Sequence, residues 1–360
     1  MLRLSIALVL ALGPTLVVGA CTSGGTAPAA GSNPAALSSH DIQDCVRSTE
    51  SRDYATTAAI CDRALKAGSL TTAMRAVALT GRGEGYAGTG DYDRAIADFD
   101  TAIALDPSLA GAYDWRGWAY RQQGNLEKAV ADYDRVVTLR PTAAVGYHDR
   151  GIAYALKGDY DRALADLTRA ISLKSDYVDG YNDRGLVYMM KGETGPGIAD
   201  YNQAVALRPE AAIPYQNRSV AFFIRRDYQR AISDVRRAIR IEPGNPFSYL
   251  WLYIVTMRAD EDPVAALDHM TVADPGVWPS VIVRFYQGKA TERDVQAEVS
   301  RAKTRRQAAE RDCQAAFYLG EFALLNGHSD QAKPRLEHAR DVCRIDLTER
   351  TAAAVELTRM

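Results

Sequence analysis

A 34-residue period runs through the middle of this 360-residue chain and constrains its fold more than any other feature. Gly83, Gly117, Gly151 and Gly185 are equally spaced, and Ser219 takes the next place. A fixed period of this size is typical of stacked structural units, each of which buries its apolar face against the next. Five consecutive segments are therefore expected to adopt the same local structure.

Each period contains two helical patterns separated by a turn. In the second period, Tyr113, Gly117 and Tyr120 fall at i, i+4 and i+7 and form one face of a first helix. The same kind of spacing recurs from Ala129 to Val136. The dipeptide Gly124-Asn125 between them supplies a helix-ending glycine and a helix-capping side chain. Each unit is therefore predicted to be a helical hairpin.

This pattern resembles the tetratricopeptide repeat (TPR), in which a small residue of the first helix meets an alanine of the second. In all five units a small residue occupies the place of that alanine on the second helix: Ala95, Ala129, Ala163, Gly197 and Ala231. Four residues later stand Phe99, Tyr133, Leu167, Tyr201 and Val235. The resemblance implies an all-α fold, a TPR superhelix or α-solenoid of helix-turn-helix repeats, with a helical C-terminal extension.

The period and its breaks divide the chain into segments. The expected order is a lipoprotein signal peptide (1–20), a flexible tether (21–38), a degenerate TPR-like unit (39–75), five repeats (76–109, 110–143, 144–177, 178–211 and 212–245), a degenerate repeat with connecting helices (246–312), a C-terminal TPR (313–346) and a capping helix (347–360). The tether is rich in Gly, Pro and Ser, a composition typical of an unstructured linker.

Two charged residues recur with the repeat. An arginine precedes each small residue of the first helix: Arg82, Arg116, Arg150, Arg184 and Arg218. We call Phe99, Tyr133, Leu167, Tyr201 and Val235 the wedge residues of the second helices. An aspartate precedes each of them: Asp98, Asp132, Asp166, Asp200 and Asp234. Because half-buried charges are normally paired, we expect a series of structural ion pairs, within a unit or between neighbours. The alternative is a basic stripe that binds an anionic ligand.

The N-terminus has the pattern of an export signal. One positive charge is followed by an apolar stretch from Leu4 to Val18 and then by small residues before Cys21. Val18-Gly19-Ala20-Cys21 resembles the bacterial lipobox, in which the cysteine receives a diacylglyceryl lipid. Ordinary signal cleavage after Ala20 is the competing interpretation. Lipidation at Cys21 predicts a protein anchored to a membrane outside the cytoplasm.

Four further cysteines fall into two pairs. An oxidising compartment favours disulfides between Cys45 and Cys61 and between Cys313 and Cys343. Zinc is the competing interpretation, but the spacings are wide and no histidine pattern accompanies them. No metal or cofactor is expected.

The first helices are expected to line a concave groove that holds peptides. One row of positions carries polar residues: Asp114, His148, Asn182 and Gln216. A neighbouring row supplies an apolar floor: Trp118, Ile152, Leu186 and Val220. The competing interpretation is that the apolar row packs between helices or beneath the C-terminal segment. No nucleophile, phosphate loop or metal pattern appears, so an enzyme is not expected, and a net charge of −2 disfavours nucleic acid.

The C-terminal third carries a more specific resemblance. PFSYLWLY from Pro246, FYQG from Phe285 and FYLG from Phe317 are similar in order to the NlpI lipoproteins of Gram-negative bacteria. That resemblance implies an outer-membrane lipoprotein on the periplasmic side, often dimeric, that brings cell-wall (murein) hydrolases together with one another or with a processing protease. The inner membrane is a less favoured location.

Three functions remain open at this point. The favoured one is a non-enzymatic, lipid-anchored periplasmic adaptor that binds other envelope proteins. The alternatives are a self-assembling structural protein of the envelope without a peptide ligand, and a secreted soluble TPR binding module.

Overall fold

The computed structural model describes residues 40–51, 53–66, 70–262, 278–343 and 348–360. The predicted signal peptide, the tether and the lipidation site Cys21 lie outside these residues. In the described residues every regular element is a helix, which confirms the all-α prediction. No helix among them is long and apolar enough to cross a membrane.

The chain divides into two compact units, which are described separately. The N-terminal unit ends at Ser175, and the C-terminal unit runs from Asp176 to Met360. The described helices of the N-terminal unit are α1 (His40–Ser48), α2 (Tyr54–Lys66), α3 (Thr72–Gly88), α4 (Tyr92–Leu105), α5 (Ala110–Gln122), α6 (Leu126–Leu139), α7 (Ala144–Leu156) and α8 (Tyr160–Leu173).

The turns inside the hairpins have the geometry that their residue types favour. Gly158 ends α7 with φ +80°, and Asp159 Oδ1 then accepts a hydrogen bond from the Arg162 amide at 3.3 Å. Gly90-Asp91 and Gly124-Asn125 repeat this arrangement. Glycine suits the left-handed backbone, and Asp or Asn satisfies an amide at the start of the next helix.

The small residues let the two helices of a hairpin approach closely. A Cβ at Gly83 would lie 2.6 Å from Cε1 of Phe99, which is closer than two non-bonded carbon atoms approach. The same relation recurs between Gly117 and Tyr133, although it is less tight there. The wedge side chains are fully buried and form the core of each hairpin.

A disulfide closes the first hairpin of the N-terminal unit. Cys45 of α1 is bonded to Cys61 of α2, with 4.7 Å between their Cα atoms. Both cysteines pack in the core beside α3, where a Cβ at Gly81 would lie 2.8 Å from Sγ of Cys61. The bridge fixes α1 to α2 at the end of the unit.

The C-terminal unit begins with the same hairpins and then departs from them. Its described helices are α9 (Val178–Met190), α10 (Thr194–Leu207), α11 (Ala212–Ile224), α12 (Tyr228–Ile241), α13 (Pro246–Arg258), α14 (Ser280–Tyr286), α15 (Glu292–Ser300), α16 (Arg305–Leu325), α17 (Ser329–Val342) and α18 (Thr348–Arg359).

Helix α13 marks the departure, because it is covered on all sides. Nine consecutive residues, from Ser248 to Thr256, are buried. Helices α12, α14 and α16 all contact it. Aromatic rings fill the space around α13: Tyr253 meets Tyr286 edge-on with centroids 4.9 Å apart, and Phe247 stacks on Tyr318 at 6.1 Å. A helix that is apolar all round is expected to be enclosed in this way.

The last helices of the C-terminal unit return to an earlier one. Helix α18 packs on α17, α16 and α11. Arg359, near its end, donates a hydrogen bond from Nη2 to the Phe223 carbonyl of α11 at 3.2 Å. A second disulfide, between Cys313 and Cys343, joins α16 to the residue after α17. The end of this unit is therefore tied back to its repeats.

Candidate functional site

The recurring arginines of the N-terminal unit each contact two carboxylates. Arg150 donates from Nε and Nη2 to the two oxygens of Asp166, both at 2.7 Å. Its Nη1 donates to Asp134 of the preceding hairpin at 2.8 Å. The same geometry links Arg82 to Asp98 and Asp62, and Arg116 to Asp132 and Asp100. Each arginine therefore joins its own hairpin to the previous one.

The C-terminal unit repeats the bidentate pair, and at Arg218 the second partner is of a different kind. Arg184 donates hydrogen bonds to both carboxylate oxygens of Asp200, and Arg218 donates to both oxygens of Asp234. The Nη1 of Arg218 donates to the amide oxygen of Asn202 at 2.7 Å, so here the second partner is neutral. The structure brings together all five arginine–aspartate pairs named from the sequence.

These pairs leave no basic stripe for an anionic ligand. Hydrogen bonding to Asp166 raises the pKa of the Arg150 guanidinium above its usual range, so the charge is always present and always neutralised. In the opposite direction, burial raises the pKa of Asp132, and the pairing with Arg116 opposes that shift. Planar guanidinium–carboxylate contacts of this kind position helices as well as balancing charge.

On the first helices of the N-terminal unit, the predicted groove residues remain accessible. Asp114, Trp118 and Ile152 are all partly exposed. His148 is the exception, since it is only 7% exposed and its Nδ1 lies 3.2 Å from Oδ1 of Asp149. We call this surface of α3, α5 and α7 the N-terminal face.

Aromatic side chains form the apolar part of the N-terminal face. Trp118 meets Tyr92 and Trp115 edge-on, with ring centroids 5.8 Å and 5.6 Å apart. Both tryptophans also pack against the cluster that contains Phe99. The rings are therefore held by the hairpin core, while part of their surface stays in contact with solvent.

One residue of this face was not selected from the sequence. Glu84 of α3 is partly buried and makes no hydrogen bond or ion pair within the described part of the chain. Burial, and then the charge of Asp114, raise the pKa of its carboxyl to about 8. The signal was present in the sequence, because Glu84 is the only charged residue in the row that continues with Trp118 and Ile152.

The predicted groove residues of the C-terminal unit are not available in this way, which corrects the sequence-based assignment. Leu186 and Val220 are only 9% and 3% exposed. Asn182 is also buried, and its Oδ1 accepts from Nδ2 of Asn217 at 2.9 Å. Gln216 donates from Nε2 to Oγ of Ser248 in α13 at 2.8 Å. These four residues pack or bond within the protein, so they do not line an open groove.

A group of buried charges holds the end of the C-terminal unit together. Arg258 donates from Nη2 to Glu356 at 2.7 Å and lies 3.4 Å from Glu321. Arg359 also donates to Glu356. Burial raises the pKa of Glu321, and neighbouring Glu356 raises it further, while Arg258 opposes both effects. A cavity of about 350 Å³ lies beside this group, lined in part by Arg258, Glu356 and Arg359.

No group of three or more His, Cys, Asp or Glu side chains among the described residues is placed to hold a metal ion.

Comparison with known proteins identifies the repeat. Two family models match the chain, a tetratricopeptide repeat over residues 80–144 and 197–246 and a TPR repeat over residues 153–192. No curated protein matches the chain. The matches support the repeat family and not the NlpI lipoproteins specifically.

Solved TPR structures resemble parts of the chain. A tetratricopeptide repeat protein from Parabacteroides merdae is 13% identical, covers 79% of this chain and 99% of its own, and has a TM-score of 0.52. MamA is 27% identical over 45% of this chain and 94% of its own, with a TM-score of 0.41. YrrB, a TPR protein with an unusual peptide-binding site, is 18% identical over 52% of this chain and 95% of its own, also at 0.41.

The predicted TPR fold is therefore confirmed, by the family matches and by the Parabacteroides merdae structure. Repeats of this type are protein–protein interaction scaffolds whose first helices provide the binding surface.

Proposed function

We propose that this TPR protein is a non-enzymatic scaffold that binds other proteins through its N-terminal face. The observation that carries the proposal is the difference in exposure along one row of first-helix positions. Trp118 and Ile152 are partly exposed, whereas Leu186 and Val220 are buried. A partner needs accessible apolar and polar side chains, and only the first two positions supply them.

We further propose that the scaffold is lipid-anchored at Cys21 and acts in the cell envelope, on the periplasmic side of the outer membrane. The Val18-Gly19-Ala20-Cys21 sequence supports the anchor. Two cysteine pairs at bonding distance are consistent with an oxidising compartment. Murein hydrolases and a processing protease are the partners that the NlpI resemblance suggests, and a homodimer is part of the same proposal.

The anchor has its own test, which is metabolic labelling with a palmitate analogue. Label is expected on the full-length protein and not on the Cys21→Ser variant. Equal labelling of the two proteins would contradict lipidation at this residue.

The binding function is tested by crosslinking in cells. A photoreactive amino acid is placed at Ile152 on the N-terminal face, and a matched one at Thr101, an exposed position on α4. The proposal predicts that envelope proteins are captured from position 152 and not from position 101. Capture only of a second copy of this chain would support a self-assembling structural protein, and equal capture from both positions would refute binding through this face.

A further inference from the structure

A fully buried carboxyl group on α16 lacks the hydrogen bonds that a charged carboxylate needs. Glu321 is 0% exposed, and its Oε1 makes no hydrogen bond within the described part of the chain. Its Oε2 lies 3.4 Å from Nη2 of Arg258, which is at the long end of the hydrogen-bond range. A buried carboxylate is costly unless it is well paired, so the interior favours the neutral acid at this position.

The arginine beside Glu321 is shared with a second acid. The Nη2 of Arg258 also donates to Oε2 of Glu356 in α18 at 2.7 Å, the shorter of its two contacts. Glu356 is buried as well, and its other oxygen accepts a hydrogen bond from Arg359. Both oxygens of Glu356 are therefore paired, whereas Glu321 shares one donor with it.

The other titratable groups near Glu321 do not supply the missing donor. The hydroxyl of Tyr286 in α14 donates instead to the carbonyl of Tyr318 in α16, at 2.7 Å. Burial raises the pKa of both tyrosine hydroxyls, and Glu321 adds to that shift. On α17, Arg335 pairs with Glu292 of α15 at 2.7 Å.

The pKa of Glu321 follows from these surroundings. Burial raises it and the carboxylate of Glu356 raises it further, while Arg258 and Arg359 oppose both effects, and the pKa is about 8 against an ordinary 4.5. Glu321 therefore keeps its proton at neutral pH while it is enclosed. In contact with water the same group would return to its ordinary pKa and ionise.

The charges around Glu321 also hold α18 in place. Glu356 and Arg359 both belong to α18, and Glu356 connects it to Arg258 of α13. The Nη2 of Arg359 connects it to the Phe223 carbonyl of α11 at 3.2 Å. The cavity of about 350 Å³ is lined in part by the same three charged residues, so solvent reaches the edge of this contact. Movement of α18 away from α11 and α13 would therefore admit water to the buried acid.

We propose that α18 docks on α11 and α13 with Glu321 in its protonated form, so that pH controls how much of this face of the C-terminal unit is covered. When α18 detaches, water reaches Glu321, its O–H bond breaks and the proton passes to the solvent. A rising pH favours the detached form, because that form binds one proton fewer. The inference goes beyond the proposed binding function, since it concerns the C-terminal unit and does not depend on the N-terminal face.

The pH range of the effect is set by the two states of Glu321. The docked state keeps the proton up to about pH 8, whereas the detached state loses it near pH 4.5. The stability that the proton gives to docking is complete below about pH 4.5 and is lost as the pH rises to about 8. Between these limits the equilibrium constant for detachment rises about tenfold for each pH unit.

Amide hydrogen exchange of the full chain at pH 6, 7 and 8 measures the detachment. Each rate is divided by the rate of the same amide in an unstructured peptide at that pH, which removes the direct effect of pH on exchange. The corrected exchange of α18 is expected to rise about a hundredfold from pH 6 to pH 8. Exchange of α7, which lies in the other unit, is the internal reference and is expected to stay constant.

Variants assign the effect to Glu321. Glu321→Gln keeps the size of the side chain but cannot ionise, so its corrected α18 exchange is expected to be independent of pH. Glu356→Gln removes the neighbouring charge that raises the pKa of Glu321, so the rise in exchange should level off at a lower pH. Glu210→Gln, at an exposed position of the same unit, should show the full rise.

Three results would overturn the inference: corrected α18 exchange that does not change with pH in the wild-type chain, the same pH dependence in Glu321→Gln, or an equal change in α7. Circular dichroism at each pH checks that the variants are folded, and if Glu321→Gln does not fold, the shift in Glu356→Gln decides. Crosslinking from position 152 does not depend on α18, so it tests the proposed binding function separately.

Discussion

The two units place the same row of repeat positions in opposite environments. In the N-terminal unit Trp118 and Ile152 reach solvent, whereas in the C-terminal unit Leu186 and Val220 are buried. The hairpins themselves are alike, with the same arginine–aspartate pair at each step. Local repeat structure therefore does not decide whether a first-helix face is open.

In the C-terminal unit, α11 is covered in part by helices that break the repeat. Trp251 of α13 donates from Nε1 to Oγ of Ser219 in α11 at 2.7 Å, and Phe223 packs against the same ring with centroids 4.9 Å apart. Arg359 of α18 then bonds to the carbonyl of Phe223. These contacts occupy the surface of α11 that a partner protein would need.

Removing the disulfides gives the largest expected effect and tests whether the units are independent. Replacing Cys313 and Cys343 by alanine is expected to cost about 3.5 kcal/mol, and replacing Cys45 and Cys61 about 3 kcal/mol, because the longer loop gains more entropy when it is freed. Hydrogen exchange should rise in α16 to α18 after the first change and in α1 to α3 after the second. Equal loss of protection in both units after either change would contradict the two-unit comparison.

Breaking an arginine pair is expected to cost more in the N-terminal unit. Arg150→Met leaves Asp166 and Asp134 without their cation, so we expect a loss of about 2 to 3 kcal/mol of unfolding free energy in urea denaturation. Arg218→Met strands one carboxylate, Asp234, and one neutral amide, so the loss should be smaller.

The control for the arginine pair is Arg162→Met, because Arg162 is 62% exposed and pairs with Asp159 at the surface. Its cost should be too small to resolve, because an exposed pair is screened by solvent. A double variant, Arg150→Met with Asp166→Leu, should recover at least about 1 kcal/mol relative to the sum of the two single changes. Strict additivity would show that the pair does not act as a unit.

Loosening α18 should open the C-terminal unit alone. Arg359→Met removes the bonds to Glu356 and to the Phe223 carbonyl, with an expected cost of about 1 to 2 kcal/mol. Amide exchange in α18 should quicken, while exchange in α5 and α7 stays as it was. Arg340→Met is the matched control, since Arg340 is exposed and bonds to its neighbour Asp341. An equal rise of α18 amide exchange in the Arg340→Met variant would contradict the role assigned to Arg359.

One further effect should depend on pH, and it belongs to Glu84 of the N-terminal unit. Its pKa is about 8 in the folded chain against an ordinary 4.5, so the folded state holds the proton more tightly. The stability that this group contributes is complete below about pH 4.5 and is lost as the pH rises to about 8. Glu84→Gln should therefore raise the unfolding free energy at pH 8 and leave it unchanged at pH 4. Thermal unfolding at the two pH values measures this, and a loss of stability at pH 8 would contradict it.

The sequence predicts the hairpins well because their determinants are local and repeated. The spacing of Gly83 and Phe99 produces one close contact between the two helices of a hairpin, and the same contact recurs with the 34-residue period. The arginine–aspartate pairs follow from equal registers on the two helices of a hairpin. The second partner of each arginine cannot be predicted from the register within one hairpin. Asp134 and Asn202 approach the arginines only once neighbouring hairpins are stacked.

The groove could be predicted only in part. The cover over α11 comes in part from Trp251 of α13 and from α18, more than a hundred residues further on, and no period connects those segments to α11. Glu84 was visible as a charge in an apolar row, but its unpaired state depends on the packing of α3 against α5. Long-range contacts therefore account for most of what the sequence did not reveal.

Hydroxyl-radical footprinting of the full chain tests the central comparison most directly. Mass spectrometry would follow oxidation of Trp118 and Ile152 in the N-terminal unit and of Trp251 and Val220 in the C-terminal unit. The account predicts rapid labelling of the first two and protection of the other two. Labelling of Trp251 and Val220 as fast as that of Trp118 and Ile152 would show that both faces are open, and would contradict it.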